Sequence, residues 1–177
     1  CSDCHGAHGV RPASDPTSLV HRGNIPDTCG KCHVGVVEIY DQSVHGRKNA
    51  EKPGSAAVCT DCHTAHQITL ATSPRFMLDV INECGRCHDS PDANGDRVGT
   101  YYQTYARSYH GQVTRLGMTR AARCSDCHGS HDIRSLDDPK SRVSPANRLA
   151  SLRRCHEARN EQFVNVAPHA DHRDSKN

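Results

Sequence analysis

Large apolar side chains are scarce in this sequence. The chain of 177 residues contains no tryptophan, two phenylalanines and two methionines, and hydrophobic residues make up 34% of it. This share is low for a soluble globular domain. A core built from these side chains alone would be small for the length of the chain. We therefore expect a further apolar component to complete it.

Long hydrophobic runs and basic clusters are also missing. The longest apolar stretch lies around residues 34–37, far short of the roughly 20 residues that a membrane-spanning helix needs. The 22 basic and 20 acidic residues nearly balance, and no Lys/Arg-rich segment stands out. The sequence therefore predicts no membrane span, and nucleic-acid binding has no support.

Cysteine, in contrast, is abundant and regularly placed. Ten of the eleven cysteines lie in the pattern Cys-x-x-Cys-His, which is the attachment site of c-type haem. The two thiols bind the two vinyl groups of the porphyrin, and the histidine is placed to bind the iron from one face. The five motifs are Cys1-Ser-Asp-Cys4-His5, Cys29-Gly-Lys-Cys32-His33, Cys59-Thr-Asp-Cys62-His63, Cys84-Gly-Arg-Cys87-His88 and Cys124-Ser-Asp-Cys127-His128.

Other uses of paired cysteines fit the pattern less well. Zinc ribbons pair two Cys-x-x-Cys knuckles but do not require a histidine directly after the second cysteine. Thioredoxin-like chemistry uses one such motif on a βαβ frame, which is not evident here. Covalent haem also supplies the missing apolar component, because each porphyrin is a large apolar plate. We therefore expect the apoprotein not to fold.

The motifs belong to an internal repeat. An ungapped shift of 123 residues carries Asp15-Pro16 onto Asp138-Pro139, and a shift of 65 carries Ser43-Val-His45-Gly46 onto Ser108-Tyr-His110-Gly111. Two motif classes alternate, C-[ST]-D-C-H-x-x-H and C-G-[KR]-C-H. The chain is therefore interpreted as one domain, residues 1–177, with three haem-pair units at approximately 1–33, 59–88 and 124–156.

The third pair departs from the pattern, because Leu152 stands where a cysteine is expected. The segment Leu152-Arg-Arg-Cys155-His156 keeps one cysteine and the histidine. Three interpretations remain open: a sixth haem held by one thioether, a haem held only by coordination, or a loop with a free thiol.

The 14 histidines are numerous enough to bind every iron from both faces. Because neither Met77 nor Met118 repeats, we predict bis-histidine coordination and hence low reduction potentials. The motif histidines are His5, His33, His63, His88, His128 and His156, and the candidate ligands for the opposite face are His8, His21, His45, His66, His110, His131 and His169, with His172 also in the tail.

Register limits which iron each of these histidines can reach. His8 lies three residues after His5, so it emerges on the same side of that ring and must bind a neighbouring haem. The same holds for His66 and His131. The tail histidines His169 and His172 are candidates for donation to another subunit, which would join subunits head to tail into a filament.

Secondary structure is expected to be mainly irregular with short α-helices and little or no sheet. Residues 36–43 and 157–164 have the composition of short helices, and Tyr101, Tyr102, Tyr105 and Tyr109 have near-helical spacing. We expect this tyrosine stripe to pack against haem.

The repeated unit C-[ST]-D-C-H-[GT]-[AS]-H, with Ser-x-His-Gly before it and C-G-x-C-H after it, resembles multihaem c-type cytochromes. These include cytochrome c554-like and cytochrome c3-like proteins and the extracellular cytochromes that polymerise into nanowires. The resemblance spans roughly residues 1–172. It implies an electron carrier of the periplasm or cell exterior, with redox proteins or further copies of itself as partners.

Two other functions are consistent with the same residues. A multihaem oxidoreductase of the nitrite, hydroxylamine or tetrathionate type would need one iron with an open coordination site. A cytochrome subunit of a membrane respiratory complex would need a docking partner. Thioether attachment takes place outside the cytoplasm, so the chain is expected to be exported and to have lost a cleaved leader.

Overall fold

Short helices joined by irregular segments make up the computed structural model, which describes residues 1–89, 101–156 and 168–170. No β-strand occurs in these three ranges, so the prediction of a helical, largely irregular chain without a sheet is confirmed. The α-helices are α1 Ser2–His5, α2 Ile25–Gly30, α3 Val34–Asp41, α4 Val44–Glu51, α5 Cys59–His63, α6 Pro74–His88, α7 Tyr101–Arg107, α8 Tyr109–Arg115, α9 Cys124–His128 and α10 Arg148–Arg153.

The chain divides into two compact units. The first comprises Cys1–Ile68 with Ser130–Ser135, and the second comprises Thr69–Gly129 with Leu136–Asn177. Helices α1 to α5 lie in the first unit and α6 to α10 in the second. The expectation of one domain with three haem-pair units stays a prediction.

In the first unit, a buried tyrosine ties α3 to the segment that leads into α5. The Tyr40 hydroxyl donates to the carbonyl of Ala57 at 2.8 Å and accepts a hydrogen bond from the Asn49 side chain. Asn49 also donates to Ala57 O at 3.1 Å. These bonds satisfy the polar groups that burial takes from water, and they hold the residues directly before Cys59.

The second unit repeats this arrangement 65 residues later. The Tyr105 hydroxyl donates to the carbonyl of Ala122 at 3.0 Å, just before the motif that begins at Cys124. Tyr105 is half-buried, and burial raises the pKa of its hydroxyl. The sequence repeat is thus also a repeat of local structure.

The Ser-x-His-Gly segments start α4 and α8 in the same way. Ser43 and Ser108 are N-caps whose hydroxyls accept from the backbone N–H groups of Gly46 at 3.0 Å and Gly111 at 3.2 Å. The glycines allow a very close approach of the preceding helix. A Cβ at Gly46 would lie 2.1 Å from the carbonyl oxygen of Tyr40, and one at Gly111 would lie 2.1 Å from that of Tyr105.

Gly46→Ala should therefore strongly destabilise the first unit. The clash is with backbone, so relief requires α3 and α4 to separate, and we expect a loss of about 3 kcal/mol in the free energy of unfolding. Gly35→Ala is the matched control in α3, because a Cβ there would meet nothing within 4 Å. Denaturant titration of both purified variants measures the difference. Equal midpoints for the two variants would contradict the close approach.

Two expectations about helices can be compared directly with the structure. The helix expected at residues 36–43 is α3, which begins at Val34 and ends at Asp41. The tyrosine stripe is interrupted, because Ser108 ends α7 and caps the new helix α8 at Tyr109. The helix expected at 157–164 lies outside the described residues.

Candidate functional site

Each C-[ST]-D-C-H motif forms a single helical turn. Helices α5 and α9 contain all five residues of their motifs, and α1 contains the last four residues of its motif, with Cys1 as the N-cap. All eleven cysteines are free thiols, and they range from half-buried to exposed. None of the motif sulfurs is therefore committed to a disulfide.

The aspartate within this motif has a structural role that the sequence analysis missed. The Asp61 carboxylate accepts from the backbone N–H of Val58 at 2.7 Å, and the Asp126 carboxylate accepts from that of Arg123 at 2.8 Å. Each caps the N-terminus of its motif helix. Arg22 also donates two hydrogen bonds of 2.8 Å to Asp61. The recurrence of Asp at the same place in all three motifs was the available signal.

A left-handed residue follows the histidine of each motif. Gly6, Thr64 and Gly129 have φ of 79°, 61° and 87°, with ψ of 164°, 178° and 174°. Thr64 is the only non-glycine residue with positive φ in the described part of the chain. A threonine rarely adopts this conformation without compensation from its surroundings. The same turn is therefore built three times, and it directs the loop that carries His8, His66 or His131.

Four pairs of histidine rings lie close together among the residues that the structure describes. Each pair joins one motif histidine to one histidine from outside the motifs, and the ring centres are 6.0–6.2 Å apart. The pairs are His5 with His66, His63 with His131, His156 with His110, and His128 with His169.

This spacing fits two imidazoles on opposite sides of one metal ion. A bond between a transition metal and an imidazole nitrogen is about 2.0–2.1 Å long, so two such bonds and two ring radii separate the ring centres by about 6 Å. Direct contact between aromatic rings covers a wider range, about 4.5–7 Å. The four pairs share a narrow spread of distances and the same combination of one motif histidine with one other histidine.

Burial favours the neutral form of four of the paired rings. Burial lowers the pKa of His63, His110 and His128, and the neighbouring ring of each pair lowers it further. Burial also lowers the pKa of His169. A low pKa keeps the imidazole neutral, and only the neutral ring has a nitrogen lone pair to donate.

Thr104 is a hydrogen-bond partner of His169. The Thr104 hydroxyl donates its hydrogen to the carbonyl of Tyr101 at 3.0 Å and lies 3.0 Å from Nδ1 of His169. If the hydroxyl donates to Tyr101, it accepts from Nδ1–H of His169, and Nε2 is then the nitrogen that could bind a metal. The residue 65 positions earlier is Ile39, so no repeat in the sequence marked Thr104.

Cysteines of different motifs also meet. The thiols of Cys29 and Cys59 are hydrogen-bonded. Burial is the main reason that the pKa of Cys59 is raised to about 12, and the neighbouring Cys29 thiol adds to this rise. In the second unit, a hydrogen bond with Cys124 raises the pKa of Cys84. The same bond lowers the pKa of Cys124. In both contacts the first cysteine of a C-G-[KR]-C-H motif touches the first cysteine of the next C-[ST]-D-C-H motif.

The segment around Leu152 keeps the local structure of an intact motif. Helix α10 corresponds to α2 after a shift of 123 residues. Asn24 donates to the carbonyls of Pro16 and Ser18, at 2.9 and 2.8 Å. Asn147 donates in the same way to those of Pro139 and Ser141, at 2.8 and 2.9 Å.

A second contact repeats with the same shift. Thr28 donates to the carbonyl of Leu19 at 2.6 Å, and Ser151 donates to that of Arg142 at 2.7 Å. The altered site therefore retains the frame that presents Cys155 and His156.

The remaining histidines among the predicted ligands have other surroundings. His21 accepts from the backbone N–H of Gly23 at 3.2 Å. His8 and His33 are exposed, and the charge of His33 acts on His63. His45 lies in the first turn of α4, and His88 is the last residue of α6.

The tail differs from what we expected. His169, a candidate donor to another subunit, faces His128 of its own chain at 6.2 Å. His172 lies outside the described residues.

Two features are absent from the described residues. No cluster of three or more His, Cys, Asp or Glu side chains suited to a metal ion is present in them, although a haem iron needs only two protein ligands. No helix in this part of the chain has the length and hydrophobicity to cross a membrane. No protein-family model, no curated protein and no solved structure matches the chain.

Proposed function

We propose that the chain is an exported electron-transfer protein that holds c-type haem at its Cys-x-x-Cys-His motifs. The observation that carries this proposal is the set of four histidine pairs, each with one motif histidine and ring centres 6.0–6.2 Å apart. Bound haem would supply one-electron exchange between ferric and ferrous iron.

Cysteines and histidines of the chain hold different parts of the cofactor. The motif cysteines anchor it covalently, and the motif histidine binds one face of the iron. A histidine from elsewhere in the chain binds the other face, which excludes exogenous ligands. The burial that keeps these imidazoles neutral also keeps them available as ligands.

Contacts between motifs support transfer along a chain of cofactors. Cys29 touches Cys59, and Cys84 touches Cys124. Each thiol would carry the vinyl edge of its porphyrin, so touching thiols bring two porphyrin edges close together. Because electron tunnelling falls steeply with distance, this closeness favours rapid transfer.

We also propose a sixth haem, held by Cys155 through one thioether. His156 and His110 face each other at 6.0 Å, as at the intact motifs, although their ring planes are tilted by 52°. The hydrogen bonds around α10, which repeat those around α2, support the same conclusion.

The paired histidines favour electron transfer over the oxidoreductase alternative, because an enzyme of that kind needs an open position on iron. Carbon monoxide binding by the reduced wild-type protein separates the two. Binding to one haem per chain favours the enzyme, and no binding favours the carrier. Because thioether attachment takes place outside the cytoplasm, we also propose that the protein acts in the periplasm or outside the cell, with other redox proteins as partners.

Intact mass and the Soret spectrum of purified protein test the proposal. We expect six haem increments per chain and a sharp Soret band. Five increments would retain the electron-transfer proposal but remove the sixth haem. A colourless chain with no mass increment would contradict both.

Thr104→Val should loosen the ligand on the haem at Cys124 and Cys127. Without the Thr104 hydroxyl, His169 loses its side-chain hydrogen-bond partner, and loss of such a partner typically weakens metal binding by about 10–100-fold. We therefore expect cyanide to displace His169 in Thr104→Val but not in wild type, as a change in the visible spectrum. Thr104→Ser keeps the hydroxyl and should behave as wild type. If cyanide changed the visible spectra of Thr104→Val and Thr104→Ser equally, Thr104 would contribute packing only.

A further inference from the structure

We propose that two arginines, Arg22 and Arg123, set the reduction potentials of the haems at the third and fifth Cys-x-x-Cys-His motifs. Each guanidinium would cancel the charge of an aspartate inside the motif, Asp61 or Asp126, and would so favour reduction of the iron. This inference deepens the proposed function and rests on it, since it requires haem at both motifs.

Both aspartates lie between the two cysteines that would anchor the porphyrin. Asp61 directly precedes Cys62, and Asp126 directly precedes Cys127. An aspartate carries a negative charge at neutral pH. Beside a haem, that charge stabilises ferric over ferrous iron, because reduction removes one positive charge from the site. An uncancelled carboxylate in the motif would therefore lower the reduction potential of the haem.

In the first unit, Arg22 holds its charge against Asp61 through several hydrogen bonds. It donates to both oxygens of the Asp61 carboxylate at 2.8 Å. It also donates to the carbonyls of Gly54 at 2.9 Å and Ala56 at 3.0 Å. Paired hydrogen bonds between a guanidinium and a carboxylate fix the relative position of the two charges. The side chains of Arg22 and Asp61 are 46% and 35% exposed, so solvent screens part of the interaction but does not remove it.

The second unit makes the same charge pair from a different position in the chain. Arg123 donates from Nε to the Asp126 carboxylate at 3.0 Å, three residues away. A shift of 65 residues places the buried Val58 at the position of Arg123, and it carries Arg22 onto Cys87. Neither arginine therefore has a counterpart in the sequence repeat, yet both motif aspartates are paired. What the two sites share is the cancelled charge, not the packing of one particular side chain.

The redox step that these pairs would influence is balanced. One electron passes from a reduced redox protein to the ferric iron, and no bond forms or breaks. Since the positive charge of the site falls by one, a nearby negative charge opposes the step and a nearby positive charge favours it. Loss of the Arg22 charge should lower the equilibrium constant for reduction of the haem by about three- to tenfold, as for one partly screened unit charge.

Potentiometric titration of the haem-loaded protein, followed by visible absorption, tests the proposal. In Arg22→Gln, one haem component should shift to lower potential by the amount given above. Asp61→Asn should shift one component to higher potential, and Arg22→Gln/Asp61→Asn should lie near wild type. Arg22→Lys keeps the charge without the paired hydrogen bonds and should also lie near wild type. The same comparison of Arg123→Gln with Arg123→Gln/Asp126→Asn tests the fifth motif.

Arg11→Gln is the matched control. Arg11 forms an exposed ion pair of 3.1 Å with Asp15 in the same unit, but neither residue belongs to a motif. This variant should leave every haem component at the wild-type potential. In a Cys59→Ala/Cys62→Ala background, which lacks the third haem, the shift caused by Arg22→Gln should disappear.

Opposite shifts for Arg22→Gln and Asp61→Asn that cancel in the double variant are the signature of charge, and a merely structural role would not produce them. Unchanged potentials in both single variants, with haem number confirmed by intact mass, would overturn the proposal. A shift in Arg22→Gln that Asp61→Asn does not reverse would also overturn it. The absence of haem from the wild-type protein would instead contradict the proposed function.

Discussion

A chain produced in a host that lacks haem-attachment machinery is expected to be unfolded. Within the described residues, the buried apolar side chains are few: Ile25, Tyr40, Val58, Ile81 and Ala121. Most helices are 4–8 residues long, and isolated helices shorter than about 12–15 residues are marginal in water. Exposed apolar residues such as Val36, Ile39 and Leu116 would pack against porphyrin in the loaded protein.

Far-ultraviolet circular dichroism checks this expectation. The haem-loaded protein should show helical bands and a cooperative thermal transition, and the haem-free chain should show neither. Protein from the same host with the attachment machinery restored is the control. A haem-free chain with the helical signal and transition of the loaded protein would mean that the side chains suffice as a core.

His66→Ala should open one iron, and the iron should be that of the first motif. His66 lies three residues after His63, yet its ring faces His5. We therefore expect one high-spin haem per chain and binding of one carbon monoxide after reduction. His66→Met should remain six-coordinate and low-spin, with a higher reduction potential at that haem, because a thioether ligand raises the potential.

Replacing the two cysteines of one motif at a time identifies the haem that becomes high-spin in His66→Ala. In a Cys1→Ala/Cys4→Ala background the first haem is removed, so His66→Ala should add no high-spin signal. In a Cys59→Ala/Cys62→Ala background the signal should still appear. The reverse result would mean that His66 serves its own motif.

Much of the fold followed from sequence pattern. Scarce apolar residues and frequent turns predicted short helices without a sheet, and α3 lies within two residues of its expected position. The break between α7 and α8 was harder to predict, because the tyrosine spacing continues through it. The Ser108 cap and the close approach of the backbone at Gly111 determine where α8 begins. Both features depend on packing against Tyr105.

The candidate site was predictable in its members but not in its pairings. The motifs identify the histidines, and register excludes His66 from its own motif. His66 and its partner His5 are far apart in the chain, so only the tertiary structure shows that they pair. The position of His169 beside Thr104 had no sequence signal at all, because neither residue belongs to the repeat.

X-ray absorption at the iron K-edge tests the central claim most directly, since it reports the atoms bound to iron. Two imidazoles and a porphyrin give six nitrogens, at about 2.0 Å by comparison with other metal–imidazole bonds, and no sulfur. We predict this shell for the oxidised protein. A metal–thiolate distance of about 2.3 Å, or the absence of iron, would mean that the cysteines hold something other than haem.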